Sequence, residues 1–215
     1  MSSGPGFRPP PVERLMIAGP LGSLEAVVEE PGQAPMRFAV VCHPHPQFGG
    51  TLDNKVVHTL ARTLQELGLP TIRFNFRGVG RSGGVFADGV GETEDALAVI
   101  DWGFMRWPGA ALWLAGFSFG GFVALRASLA RDCDRLITVA PPVQRFNFKE
   151  LRVPRCPWLV IQGDADEIVD HHAVMQWTES LAPAPDVRIL SGVDHFFHGR
   201  LHELKDVVRS ALSVG

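Results

Sequence analysis

Six short apolar runs, Arg37–Cys42, Thr71–Phe76, Ala111–Ala115, Arg135–Ala140, Pro157–Gln162 and Val187–Leu190, alternate along the chain with segments of helical period. Several of these runs are apolar on successive residues, as a strand buried on both faces must be. Amphipathic stripes lie between or after them: Val56, Leu60, Leu64 and Leu67; Leu97, Ile100 and Phe104; Leu201, Leu204, Val208 and Leu212. This alternation points to a mostly parallel central sheet with helices on both faces. Ahead of it, Val12–Ala18 and Ser23–Val28 read as an antiparallel hairpin punctuated by Gly19, Pro20 and Gly22. With no internal repeat or linker in view, we expect a loose arm over residues 1–11 and one α/β domain over residues 12–215.

The charge balance narrows the function. Lys plus Arg number 20 against 23 Asp plus Glu, for a net charge of −3. No basic excess exists to neutralise a phosphate backbone, so nucleic acid is not an expected partner. No apolar run reaches the length of a transmembrane helix, and the first residues do not read as a signal peptide. Cys42, Cys133 and Cys156 fit neither a zinc site nor a disulfide framework. Cys42 and Cys156 border apolar runs, so the expectation is buried free thiols and a cytoplasmic protein.

In sheets of this kind ligands bind at the carboxyl ends of the strands. Directly after Ala111–Ala115 comes Gly116-Phe117-Ser118-Phe119-Gly120, followed by a helical run. That is G-x-S-x-G between strand and helix, a sharp turn that exposes a serine hydroxyl. Side chains two residues before and after the serine would collide, which explains Gly116 and Gly120. A serine hydroxyl needs a base oriented by an acid, and in this setting the acid and then the base follow in chain order. After Pro157–Gln162 comes Gly163-Asp164-Ala165-Asp166-Glu167, where Asp166 is the favoured acid, with Asp164 and Glu167 as rivals. Asp164 is better suited to bonding local backbone in the turn. After Val187–Leu190 comes a loop with His195 as the favoured base and His198 as its rival.

The oxyanion of an acyl-transfer intermediate needs backbone N–H donors. One is expected from Phe119, the residue after the serine. The second belongs to the loop His43-Pro44-His45-Pro46-Gln47 after the first parallel strand. The two prolines have no N–H, which leaves His45 and Gln47; His45 is favoured because its neighbours stiffen it. Other chemistries fit less well. Gly78–Gly83 matches G-x-G-x-x-G, but further glycines follow it instead of a helix, and Asp101 falls within a helical pattern. His195, His198 and His202, or His43 and His45, lack a completing carboxylate or thiolate, so neither metal nor cofactor is expected.

Taken together, these segments resemble the α/β-hydrolase superfamily along nearly the whole chain after the arm. Asn75–Ser82 is similar to the superfamily's D-x-R-G-x-G-x-S segment, with Asn75 in place of the usual Asp. More narrowly, His43–Val57, Arg73–Gly84, Ala115–Gly121, Gln162–Asp170 and Asp194–Leu201 resemble small bacterial hydrolases akin to the dienelactone-hydrolase branch. The resemblance implies an α/β-hydrolase fold with Ser118 as nucleophile, Asp166 as acid and His195 as base. The expected function is hydrolysis of ester-type acyl bonds in small-molecule substrates through an acyl-enzyme. Thioester or peptide hydrolysis with the same residues, or a non-catalytic binding protein on the same fold, are the alternatives. The stretch Pro141–Arg155 is too short for a helical lid. With Phe146, Phe148 and Leu151 it is expected to form a small apolar wall beside an open site.

Overall fold

Two-sided burial explains why the strand runs are apolar throughout. In β3 (Arg37–Cys42), Phe38, Val40 and Cys42 join the core on one face of the sheet, while Ala39 and Val41 join the core on the other. The computed structural model describes residues 10–32 and 35–212. The expected arm, up to residue 9, lies outside the described residues.

One eight-stranded sheet runs in the order β1-β2-β4-β3-β5-β6-β7-β8. β1 (Val12–Gly19) and β2 (Gly22–Glu29) form the expected hairpin, and β2 pairs antiparallel with β4 (Thr71–Phe74). From β4 onward every pairing is parallel, through β3, β5 (Ala111–Phe117), β6 (Arg135–Val139), β7 (Trp158–Gly163) and β8 (Asp186–Leu190). The expected strands are therefore present, with ends shifted by one or two residues.

Helices cover both faces. α1 (Lys55–Glu66) and α5 (Leu201–Leu212) contribute Val56, Leu60, Leu64, Leu204 and Val208 to one core. α2 (Val90–Arg106), α3 (Phe119–Ser128) and α4 (His171–Glu179) pack on the other face. Asn54 caps α1, its side-chain oxygen accepting the N–H groups of Val56 and Val57 at 2.9 and 3.4 Å. In α2 the buried face is Ala96, Val99, Ile100 and Gly103, and Leu97 and Phe104 flank it. Gly103 passes so close to the Phe38 ring that any side chain there would strike it.

Buried charge ties the β4–α2 loop to α2. The Arg77 guanidinium meets the Asp95 carboxylate at 2.8 Å, and the Arg77 backbone N–H donates to the same carboxylate at 2.9 Å. Their side chains are 4% and 1% exposed. The glycines of 78–84 serve this loop: Gly78, Gly80 and Gly84 all take positive φ, and no helix begins before Val90. Asn75 accepts the Leu52 N–H at 2.8 Å and donates to Glu25 at 2.9 Å. An ionised aspartate at this position would oppose Glu25 instead of donating to it, which accounts for the departure from the superfamily pattern.

Breaking a buried pair from one side leaves the other charge uncompensated. Asp95→Ala should therefore lower unfolding free energy by about 3–5 kcal/mol in urea titrations. A loss below about 1 kcal/mol, in the range of exposed pairs, would contradict this account of the loop.

Candidate active site

Three backbone segments converge where β5 ends. Ser118 sits at φ 53°, ψ −121°, in a region that L-residues rarely occupy, and α3 begins at Phe119. The Ser118 N–H donates to Val139 at 2.8 Å, which fastens the turn to β6. A side chain at Gly116 would overlap the Gly120 carbonyl. One at Gly120 would overlap the carbonyls of Cys42 and His43 at the end of β3. Both glycines are thus dictated by close backbone approach.

His43 fixes the loop after β3. Its Nε2 accepts the Phe76 N–H at 3.0 Å, so the ring proton is on Nδ1 and donates to the Pro44 carbonyl at 2.6 Å. Burial pushes the His43 pKa down to about 4, which keeps the ring neutral. The Gln47 N–H donates to His45 Nδ1 at 3.2 Å, so of the two candidate N–H groups this one is engaged. The His45 N–H has no hydrogen-bond acceptor among the described residues. The Phe119 N–H, first in its helix, has no intrahelical acceptor. Both residues line the same cavity as Ser118.

The loops after β7 and β8 are drawn together by backbone contacts. Asp164 accepts the Gly192 N–H at 2.6 Å, the turn-bonding role its position suggests, and the Ala165 N–H donates to Val193 at 3.2 Å. Gly163 has no room for a side chain against the Val193 carbonyl. Asp166 then lies beside His195, with Asp166 Oδ2 at 2.7 Å from His195 Nδ1. His195 Nε2 is 3.2 Å from Ser118 Oγ. The rivals are engaged elsewhere. His198 is exposed and meets Asp194 at 2.8 Å, while Glu167 accepts the His195 backbone N–H at 3.4 Å.

Asp166 is held by more partners than its sequence context suggests. Its Oδ1 accepts the N–H groups of Ile168 and Val169 at 2.8 and 2.7 Å, and Gln162 Nε2 donates to Oδ2 at 3.0 Å. Burial acts to raise its pKa. The hydrogen bond and charge of His195 and the two backbone N–H groups outweigh that and hold it below the usual carboxylate value. Gln162 lies inside an apolar strand run, so only its polarity at a buried position could have marked it. The His195 ring packs against Phe117 and Phe196, each with centroids 5.0 Å away.

A cavity of about 310 Å³ opens over Ser118. Its apolar lining includes Pro44, Phe48, Phe119, Phe146 and Ile168. Phe48 is 78% exposed and Phe196 41%, so the mouth is open. Of the expected apolar wall, Phe146 lines this cavity. Phe148 instead lies in the core against Phe122 and Trp177, and Leu151 packs against that core. A 3-10 turn over Phe148–Glu150 in the crossover from β6 to β7 seats Phe148 in that core, with Leu151 packed beside it.

Residues 23–150 match the family model described as X-Pro dipeptidyl-peptidase (S15 family). The chain belongs to the S15 family of α/β hydrolases. An uncharacterised protein of Rickettsia prowazekii is 33% identical over 209 residues, covering 93% of this chain and 88% of that one. Two solved structures are more similar. A Xanthomonas campestris protein described as an α/β serine hydrolase without lid has 43% identity and a TM-score of 0.90, covering 98% of this chain and 97% of that one. An α/β serine hydrolase homologue from Coxiella burnetii has 44% identity and a TM-score of 0.90, covering 93% and 97%. This S15-family chain is accordingly a serine hydrolase of α/β fold. None of its described helices is long and apolar enough to cross a membrane.

The buried His43 ring generates a pH prediction for the hydrolase. Its folded pKa lies below the unfolded value, so the unfolded state takes up a proton first as the pH falls. Stability present above about pH 6.5 should be lost progressively down to about pH 4, by up to about 3 kcal/mol from this group. Urea titrations at both ends of that window should show a smaller loss for His43→Gln than for wild type. Equal losses would contradict the assignment.

Proposed function

We propose that this hydrolase cleaves ester-type acyl bonds of small molecules through an acyl-enzyme on Ser118. The observation that carries the reading is the continuous chain from Asp166 through His195 to Ser118, at 2.7 and 3.2 Å. His195 Nε2 takes the hydroxyl proton as Ser118 Oγ attacks the carbonyl carbon. The N–H groups of Phe119 and His45 hold the oxyanion. His195 then passes the proton to the leaving alkoxide, and water repeats the sequence to release the acid. Asp166 keeps Nδ1 protonated, so that Nε2 can act as the base, and stabilises the charged ring. The open mouth and cavity of about 310 Å³ suit short or exposed acyl groups.

The family description favours peptide cleavage as a second reading. Release of dipeptides from an N-terminus calls for a group that pairs with the substrate's α-ammonium. No carboxylate lines the cavity, and its one full cation is Arg145, an exposed side chain without an ion pair among the described residues. This charge supports the ester reading over the peptidase reading.

Short aryl esters should be turned over, and proline anilides with a free α-amine should not. Ser118→Ala should lower kcat by about 10⁴-fold or more, and Asp166→Asn by about 10⁴-fold through the wrong histidine tautomer. Anilide turnover exceeding ester turnover would replace the ester reading by the peptidase one. Full activity in Ser118→Ala would remove both.

A further inference from the structure

The opposite rim of the sheet carries a second set of reactive groups. Cys133 stands two residues before β6, and Cys156 two residues before β7. Their sulfurs are 2.7 Å apart, and both side chains are half-buried. Cys156 is a free thiol as expected, but half-buried where full burial was expected. A cleft of about 740 Å³ opens over the pair, lined by Arg131, Arg152 and Arg155 against the single carboxylate of Asp132. Arg131 is engaged by Asp101 at 2.8 Å. Arg152 and Arg155 are exposed and make no hydrogen bond or ion pair with the described residues. The acyl-transfer reading uses neither the cleft nor its cysteines.

We propose that Cys133 and Cys156 are an exchange site for small anionic disulfides of the glutathione class, which convert the pair to an intramolecular disulfide. Cys156 Sγ attacks one sulfur of the reagent, forms a mixed disulfide and expels one thiolate. Cys133 Sγ then attacks Cys156 Sγ and expels the second. One S–S bond is reduced in the reagent and one is formed in the protein; the two cysteine protons end on the two released thiols. The hydrogen bond from Cys133, with help from the Arg135 guanidinium, holds the Cys156 thiol below its ordinary pKa despite burial, which makes it the attacking sulfur. Arg152 and Arg155 supply the charge that attracts the reagent's carboxylates.

The new bond would tie the start of β6 to the start of β7 and close a ring that contains β6 and the crossover between them. Pro142, Arg145 and Phe146 of that crossover line the cavity over Ser118. Oxidation thus closes a covalent ring around the segment that walls the active site. Cys42 is the internal control: it is fully buried, and burial pushes its thiol up.

The full chain is incubated in glutathione buffers of increasing oxidised fraction, quenched in acid, alkylated and mapped by mass spectrometry. A Cys133–Cys156 cross-link should appear while Cys42 stays alkylatable. Cys133→Ser should instead retain a glutathione adduct on Cys156. The Arg152→Ala/Arg155→Ala double variant should cross-link several-fold more slowly with oxidised glutathione, and at the wild-type rate with the neutral 2-hydroxyethyl disulfide. Alkylation of all three cysteines in every buffer, or glutathione adducts without the cross-link, would overturn the exchange site. Unchanged glutathione rates in the double variant would overturn the anionic-ligand assignment.

Discussion

The close backbone approach at the carboxyl edge of β3 and β5 is the constraint on which the site depends. Ser118 holds a conformation that costs on the order of 1–3 kcal/mol. It persists because the turn is clamped on every side: its N–H is bonded to β6, and α3 begins one residue later with an almost wholly buried first turn. Gly116 and Gly120 let the end of β3, the turn and the helix pack with no side chain between them. That packing puts the hydroxyl and the helix-start N–H on one cavity, beside the His43–Pro46 loop.

Electrostatics completes what the backbone begins. Four hydrogen bonds to the Asp166 carboxylate keep a buried group ionised where desolvation alone would favour the neutral acid. The histidine between that carboxylate and Ser118 is fixed by rings on two sides and by its backbone bond to Glu167. On the other side of the cavity, a neutral His43 bonds through both ring nitrogens and sets the direction of the Pro44 carbonyl. These groups give the site a fixed geometry without a lid, and the exposed Phe48 and Phe196 leave its mouth accessible.

Much of this was legible in the residue pattern, for identifiable reasons. The run at 37–42 matches β3 to the residue, because a strand buried on both faces writes itself as unbroken apolar sequence. Ser118, Asp166 and His195 were placed by their positions just past strand ends, and they lie within hydrogen-bonding reach of one another. Contacts across the fold were less legible. Gln162 supports Asp166 from inside a strand, and Phe148 leaves the expected wall for the core. Cys133 and Cys156 meet across neighbouring crossovers, a pairing set by β6–β7 register that no local spacing encodes. α4 carries only Val174 and Thr178 as buried residues, too few to write an amphipathic stripe.

The most direct measurement is to react the intact chain with a fluorophosphonate and locate the adduct by peptide mass spectrometry, in wild type and in His195→Ala. Wild type should carry one adduct per chain on Ser118 Oγ, and labelling should slow by orders of magnitude without the imidazole. An adduct on any other residue, or equal labelling rates in the two proteins, would contradict a nucleophilic Ser118 activated by His195.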